Sequence, residues 1–217
     1  MLKGIFFDLD GTLVNSLADI AAAMNRALAE FDLPGFPAEE YRYKVGNGSF
    51  ILSQRCLPEG RKQEANALRE IYSREYLAAC CVRTVPYEGI LEMLQTLRAH
   101  GLKLAVITNK PQEQAEEVMH LLPENAVDGL YGQSRRFPVK PDPAIFHDVM
   151  HTFGMKPEEV LYCGDSAVDI EFAHNANAKD IGCNWGFRGR EELEAAGADF
   201  LASTPKELAE IVIRQMQ

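Results

Sequence analysis

No stretch of this chain runs to eighteen consecutive apolar residues, so no segment is expected to cross a membrane as a helix. Basic residues are in the minority, 22 Lys and Arg against 32 Asp and Glu. The resulting net charge of -10 argues against nucleic acid and against an anionic membrane surface as partners. It leaves an anionic small substrate open, because a bound cation sets its own local field. Cys56, Cys80, Cys81, Cys163 and Cys183 are odd in number and contain no Cys-x-x-Cys pair. That removes the usual zinc site and disulfide framework and fits a reducing, cytoplasmic setting. A basic region followed by a long apolar run is missing at the N-terminus, where Asp8 interrupts the apolar residues, so no secretory signal is expected. Internal repeats and low-complexity tracts are missing too.

What is present is an ordinary globular composition, 47% hydrophobic and 25% charged over 217 residues, enough for one good core and a small second domain. Gly4-Ile5-Phe6-Phe7 reads as a short buried strand that delivers Asp8-Leu9-Asp10-Gly11-Thr12 to its carboxyl end. Asp8 and Asp10 stand two apart and can line one crevice, with Leu9 facing elsewhere. Carboxylates this close repel unless a cation or a shared proton sits with them, which favours a divalent metal. By itself the stretch is equally a strand end closed by an Asp-Gly turn.

From Ser16 the pattern becomes helical. Leu17, Ile20, Ala21, Met24, Ala27, Leu28 and Phe31 share one face, with Ser16 as a fitting N-cap and Asp19 three residues on. Pro34-Gly35 ends that element. A short helix over about 37–44, a Gly46-Asn47-Gly48 turn, a helix through Ile51, Leu52 and Arg55, and a longer one opened by Pro58-Glu59 follow. No strand is expected between Asn15 and Thr84. Past the connecting turn Val85-Pro86-Tyr87-Glu88-Gly89, strands and helices alternate. Strands are expected at 102–107, 128–132, 159–163, near Ile181 and at 198–201, and Thr204-Pro205-Lys206-Glu207 caps a last helix. Alternation of this kind means a parallel sheet covered on both faces. The expected fold is therefore α/β, a Rossmann-like parallel sheet core formed by residues 1–14 and 86–217, with an inserted all-helical cap over 15–85.

In a parallel sheet the strand ends point one way, so polar residues distant in sequence converge. Asp8 and Asp10, Thr108 and Asn109, Lys140, and Asp165 with Asp169 form such a set. Carboxylates, one hydroxyl, one amide and one lysine suit a hard oxygen-liganded cation, Mg²⁺ before others, together with a phosphoryl group. His147 and His151 are four apart with Asp148 between, but they fall on the polar side of a helix and read as solvated surface.

Four ordered stretches, Asp8-Leu9-Asp10-Gly11-Thr12-Leu13, Thr108-Asn109, Lys140-Pro141 and Gly164-Asp165-Ser166 with Asp169, resemble the motifs of the haloacid dehalogenase (HAD) superfamily. Within it the chain is most similar to phosphoglycolate phosphatases, through Val45-Gly46-Asn47-Gly48, Pro86-Tyr87-Glu88-Gly89, Thr108-Asn109-Lys110-Pro111 and Trp185-Gly186-Phe187. The resemblance implies a Mg²⁺-dependent phosphatase acting on a small phosphorylated metabolite, as a monomer or weak homodimer. It gives Asp8 as nucleophile, forming an aspartyl phosphate, and Asp10 as general acid and base. Asp8, Asp10 and Asp165 would hold the metal, with Asp169 ligating or orienting beside them. Thr108, Asn109 and Lys140 would bind the phosphoryl group. Asn47 and Gly48 would approach the substrate from the cap, and Lys44 and Arg55 nearby are candidates for a substrate carboxylate. A phosphosugar mutase of the same fold would carry a histidine shortly after the first motif, and none stands there; a non-catalytic phosphate-binding module would have lost a catalytic residue, and none is missing.

Overall fold

The computed structural model describes residues 1–216. Its strands are β1 (Gly4–Phe7), β2 (Val14–Asn15), β3 (Val85–Pro86), β4 (Lys103–Pro111), β5 (Gly129–Gln133), β6 (Val160–Gly164), β7 (Lys179–Cys183) and β8 (Phe200–Ala202). Six of them form one parallel sheet in the order β5-β4-β1-β6-β7-β8, and β2 pairs antiparallel with β3. The helices are α1 (Leu17–Ala29), α2 (Gly48–Cys56), α3 (Ala65–Leu77), α4 (Ile90–Ala99), α5 (Gln112–Met119), α6 (Ala144–Phe153), α7 (Ala167–Asn175), α8 (Arg190–Ala195) and α9 (Pro205–Gln215). None is long and apolar enough to cross a membrane.

The centre of the sheet is β1, and its side chains alternate between two cores. Phe6 joins Phe146 and Val149 of α6, Tyr162 of β6 and Phe172 of α7 on one face. Ile5 and Phe7 join Leu94 and Leu97 of α4, Val118 of α5 and Leu208 and Val212 of α9 on the other. Each such buried side chain contributes about 1.5–3 kcal/mol of transfer free energy. Strand order reverses around β1: the chain passes to β4 and β5 on one side, then crosses to β6, β7 and β8 on the other. Open α/β sheets bind ligands at the carboxyl ends of the strands beside such a reversal.

Between Asn15 and Thr84 the chain is helical: α1, a 3₁₀ segment Ala38–Tyr43, α2, a second 3₁₀ segment Glu59–Glu64, and α3. These pack as a cap whose apolar interior, including Leu28, Tyr41, Leu68 and Tyr76, is continuous with one core of the sheet. The chain leaves the sheet and returns to it through β2 and β3, with Val14 opposite Pro86 and Asn15 opposite Val85. The sequence gives Val85-Pro86 the look of a plain turn because two residues are too few to show a strand period.

Two further differences from the sequence reading concern caps. Ser16 makes no capping bond to α1; its hydroxyl donates to Asp10 Oδ1 at 2.5 Å. Thr204 caps α9 by accepting the Glu207 N–H at 3.1 Å, but the Glu207 carboxylate takes the N–H of Ser203 at 2.8 Å, so the box is half formed.

Asp19 also serves a different element from the one its position suggests. Its Oδ2 accepts the N–H groups of Arg83 and Thr84, both at 2.8 Å, and the Thr84 hydroxyl at 2.7 Å, tying α1 to the segment that re-enters the sheet. Burial pushes this carboxyl up, and the Arg83 and Thr84 donors outweigh it, so Asp19 titrates below its ordinary value. Asp19→Ala should cost about 2–3 kcal/mol in urea unfolding at neutral pH by stranding buried donors. Because the folded-state value is depressed, the contribution is fully present above the unfolded value and is lost as pH falls through the folded one. The gap between wild type and Asp19→Ala should therefore hold above about pH 4, the unfolded value, and close progressively as pH falls below it.

Candidate active site

Three strand ends build the site. β1 runs directly into Asp8, and a turn closed by the Gly11 N–H on Val14 O at 2.9 Å sets Asp10 beside it. β4 extends past the expected end at Ile107, and its pairing with β5 shifts between Ile107 and Pro111, so Thr108, Asn109 and Lys110 lie on an irregular strand end. β6 ends at Gly164 and presents Asp165, followed by Ser166 at the start of α7.

Two lysines organise the acids. Lys140 Nζ lies 2.7 Å from Asp169 Oδ1, 3.0 Å from Asp8 Oδ1 and 2.8 Å from the Tyr162 hydroxyl, which in turn donates to Ile107 O at 2.8 Å. Lys110 Nζ lies 2.9 and 2.8 Å from the two oxygens of Asp10, with its ammonium 4.3 Å over the Tyr76 ring. The Ser166 hydroxyl and N–H both donate to Asp169 Oδ2, at 2.7 and 3.1 Å, forming the capping box of α7. Asp165 Oδ2 accepts the Phe187 N–H at 2.7 Å.

Asp8, Asp165 and Asp169 are all buried and bring one carboxylate oxygen each within 4.8 Å of the others. Asp8 Oδ1 takes no aligned hydrogen bond, although the Lys140 ammonium lies 3.0 Å away; charge rather than hydrogen-bond geometry holds that pair. With Asp10 counted, four carboxylates face two ammonium groups, an excess of two negative charges in a site of low exposure. Burial pushes the Asp8 carboxyl up to about 6 against the pull of Lys140, and burial with the nearby Asp169 pushes Asp165 well above the carboxylate range. Burial works against the charge on Lys140, but Asp169 and Asp8 outweigh it and hold its proton more firmly than usual. An all-oxygen donor set with an orphaned buried oxygen and two uncompensated charges fits a hard divalent cation.

The cleft above these groups encloses about 610 Å³, counting the solvent at its mouth. Asp8, Asp10, Thr108, Asn109 and Asp165 line it from the sheet, and Val45, Gly46, Gly48, Ser49 and Tyr72 from the cap. Polar bridges hold the two sides together: Asn109 Nδ2 to Gly46 O at 3.0 Å, Gln114 Nε2 to Ser73 Oγ at 2.9 Å, Arg42 Nε to Phe187 O at 2.7 Å and Arg188 to Val45 O at 2.8 Å.

Several residues named from the sequence stand elsewhere than the cleft wall. Lys140 and Asp169 are not among the lining residues; they pair with each other, and Lys140 with Asp8. The Asn109 amide is spent on loops, accepting the Lys140 N–H at 2.7 Å and donating to Lys140 O at 3.1 Å besides Gly46 O. Asn47 turns its carbonyl oxygen to Arg55 at 2.8 Å, and Gly48, with φ +84°, is the member of that pair that lines the cleft. Lys44 lies 4.1 Å over the Phe36 ring. His147 and His151 are exposed on α6. Lys110, Ser16, Tyr162 and Arg188 were not among the sequence candidates. Lys110 had a signal, since it directly follows two polar residues at a strand end; the other three reach the site only through side-chain direction. At the opposite, amino ends of β7 and β8, His174 Nε2 lies 2.8 Å from buried Asp180 and 3.9 Å from Asp199, apart from the cleft.

The chain matches the model of the haloacid dehalogenase-like hydrolase family over residues 5–183. It is 35% identical to a phosphoglycolate phosphatase of Mannheimia succiniciproducens, covering 97% of this chain and 98% of that protein. It is 37% identical to one from Haemophilus influenzae, covering 92% and 93%. Among solved structures, a haloacid dehalogenase-like family hydrolase from Streptococcus pneumoniae superimposes with a TM-score of 0.87 at 27% identity, covering 97% of this chain and 98% of that one. Fold, site geometry and these likenesses agree: the chain belongs to the haloacid dehalogenase-like hydrolases.

Proposed function

We propose that this protein is a Mg²⁺-dependent phosphatase that hydrolyses a small organic phosphate monoester, 2-phosphoglycolate first, through an aspartyl phosphate on Asp8. The observation that carries the reading is the division of the two neighbouring acids between different partners. Asp8 faces Lys140, whereas Asp10 is held by Lys110 and Ser16. Identical side chains two residues apart are thereby placed in different environments, as a nucleophile and a proton carrier require. The named activity of the Mannheimia and Haemophilus relatives supplies the substrate.

In this reading an Asp8 oxygen attacks phosphorus, the bond from phosphorus to the substrate oxygen breaks, and Asp10 gives that oxygen its proton. Water then attacks the phosphoryl group, Asp10 takes its proton back, and release of phosphate restores the Asp8 carboxylate. Lys110 and Ser16 hold the Asp10 carboxyl in place beside the phosphoryl position. Lys140 balances charge at Asp8, and Thr108 with the strand-end backbone holds phosphoryl oxygens. Asp8, Asp165 and the backbone of Asp10 would hold Mg²⁺, with Asp169 positioned behind them by Lys140 and Ser166. When bound, the cation offsets the excess negative charge and polarises the phosphoryl group. Residues 15–85 act as the lid that excludes bulk water and reads the leaving group.

Inorganic phosphate release from a panel of phosphorylated metabolites tests the reading. Activity should require Mg²⁺, vanish in excess chelator, be lost in Asp8→Asn, and fall by about 10²–10⁴-fold in Asp10→Asn. Turnover that survives in Asp8→Asn would sink the mechanism, and isomerisation of a sugar phosphate without net release would point to a mutase. The charge excess makes a second, activity-free prediction. In chelator, Asp165→Asn should melt several degrees above wild type because it relieves repulsion; with millimolar Mg²⁺ the order should reverse, as only wild type gains from binding.

A further inference from the structure

Three cations stand near the Gly46-Asn47-Gly48 loop, and the structure uses them differently. Lys44 is stacked over Phe36. Arg55 spends its guanidinium on the loop itself, donating to Lys44 O at 2.9 Å and to Asn47 Oδ1 at 2.8 Å. Neither lines the cleft. Arg188 does, and its side chain is only 12% exposed. Its one aligned hydrogen bond to a described residue runs from a terminal nitrogen to Val45 O, at 2.8 Å. Glu192 Oε2 lies 3.8 Å from the other terminal nitrogen, beyond hydrogen-bond distance, while Glu192 Oε1 accepts the Ala167 N–H at 3.1 Å. A guanidinium carries five N–H donors. The Arg188 guanidinium carbon lies 5.5 Å over the Tyr43 ring, and most of its N–H groups have no hydrogen-bond acceptor among the described residues, at a wall of the cleft. Burial, followed by the like charge of Arg188, also lowers the hold of Arg55 on its proton.

The backbone before Arg188 is clamped. The Phe187 N–H donates to Asp165, and Phe187 O accepts from Arg42 of the cap at 2.7 Å. Gly186 packs so closely that a Cβ there would fall 2.2 Å from Asp165 Cβ and 2.4 Å from Gly11 O. Arg188 thus starts one residue, about 3.8 Å of chain, from a group hydrogen-bonded to the acidic cluster. Its spare donors suit a planar anion close to the phosphoryl position rather than a distant one.

We propose that Arg188 is the specificity-determining residue of the cleft, binding a carboxylate carried by the leaving group of a short phosphate monoester. The proposal rests on the phosphatase reading above and deepens it. A bidentate pair with carboxylate matches the guanidinium fork in shape and charge. Since the same guanidinium already holds Val45 of the cap, acid binding occurs where sheet and cap meet.

The test compares wild type, Arg188→Gln and Arg188→Lys on 2-phosphoglycolate and on 2-hydroxyethyl phosphate, its counterpart without the carboxylate, by release of inorganic phosphate. The ratio of kcat/KM for the acid over the alcohol should fall at least about tenfold in Arg188→Gln, mainly through KM, and recover in part in Arg188→Lys. A ratio that stays at the wild-type value overturns the proposal even if both activities drop, because a residue that merely braces the cap affects both esters alike. Should Arg188→Gln fail to fold, Arg188→Lys carries the same comparison, with a fall of about threefold expected from loss of the fork. Wild-type turnover of both esters without preference for the acid overturns the carboxylate site and leaves the phosphatase reading intact. Absence of turnover on any ester removes both.

Discussion

Repulsion among carboxylates at the carboxyl edge of the sheet is the constraint that the rest of the molecule answers. Asp8, Asp165 and Asp169 arrive from two strand ends and the first turn of α7, and each is nearly or wholly removed from water. Isolated buried anions would neutralise or unfold the site. Lys140 opposes this by sitting between Asp8 and Asp169, and its own burial is made tolerable by Tyr162, whose hydroxyl is fixed by Ile107 O. The aromatic core under the sheet is therefore part of the electrostatics: Tyr162 packs edge-on to Phe172 at 5.1 Å, and the Lys140 ammonium lies 5.8 Å over that same ring.

The same constraint reaches the helices. Asp169 completes the capping box of α7 and pairs with Lys140 at once, so the start of that helix cannot be displaced without uncovering a charge in the site. On the far side, Asp10 takes Lys110 and Ser16, and Ser16 is thereby withdrawn from capping α1. The cost of an uncapped helix start is about 1 kcal/mol, within what a half-buried and hydrogen-bonded carboxylate recovers. At Ser16 local helix chemistry yields to the site, whereas at Asp169 the two coincide.

How much of this was legible in sequence follows from the range of each interaction. The apolar periods of β1, β4, β6 and the cap helices are local, and they place the sheet, its connections and the helical insertion. Asp8, Thr108 and Asp165 converge because strand ends in a parallel sheet must, so the topology alone brings them together. Ser16 and Asp19 were misread since a capping pattern is read within one helical turn, while the partner of Ser16, Asp10, lies back across the turn after β1, and that of Asp19, Thr84, is brought by the return of the chain to the sheet. Lys44 and Arg55 were credible as substrate contacts by proximity along the chain. Their side chains are drawn instead to Phe36 and to the loop backbone.

The distinction between spent and unspent donors also explains why proximity in sequence is a poor guide to the cap face of the cleft. A loop such as Gly46-Asn47-Gly48, with two glycines at φ +107° and +84°, has only the Asn47 side chain of its own to stiffen it and is braced by neighbours. Arg55 braces it from α2 and Asn109 from β4, and both are used up in doing so. An N–H donor that holds the rim of a cleft cannot at the same time be offered to its contents. Recognition then falls to side chains anchored on the rigid sheet side whose donors the rim does not consume. Such residues lie far along the chain from the loop they face, as Arg188 does.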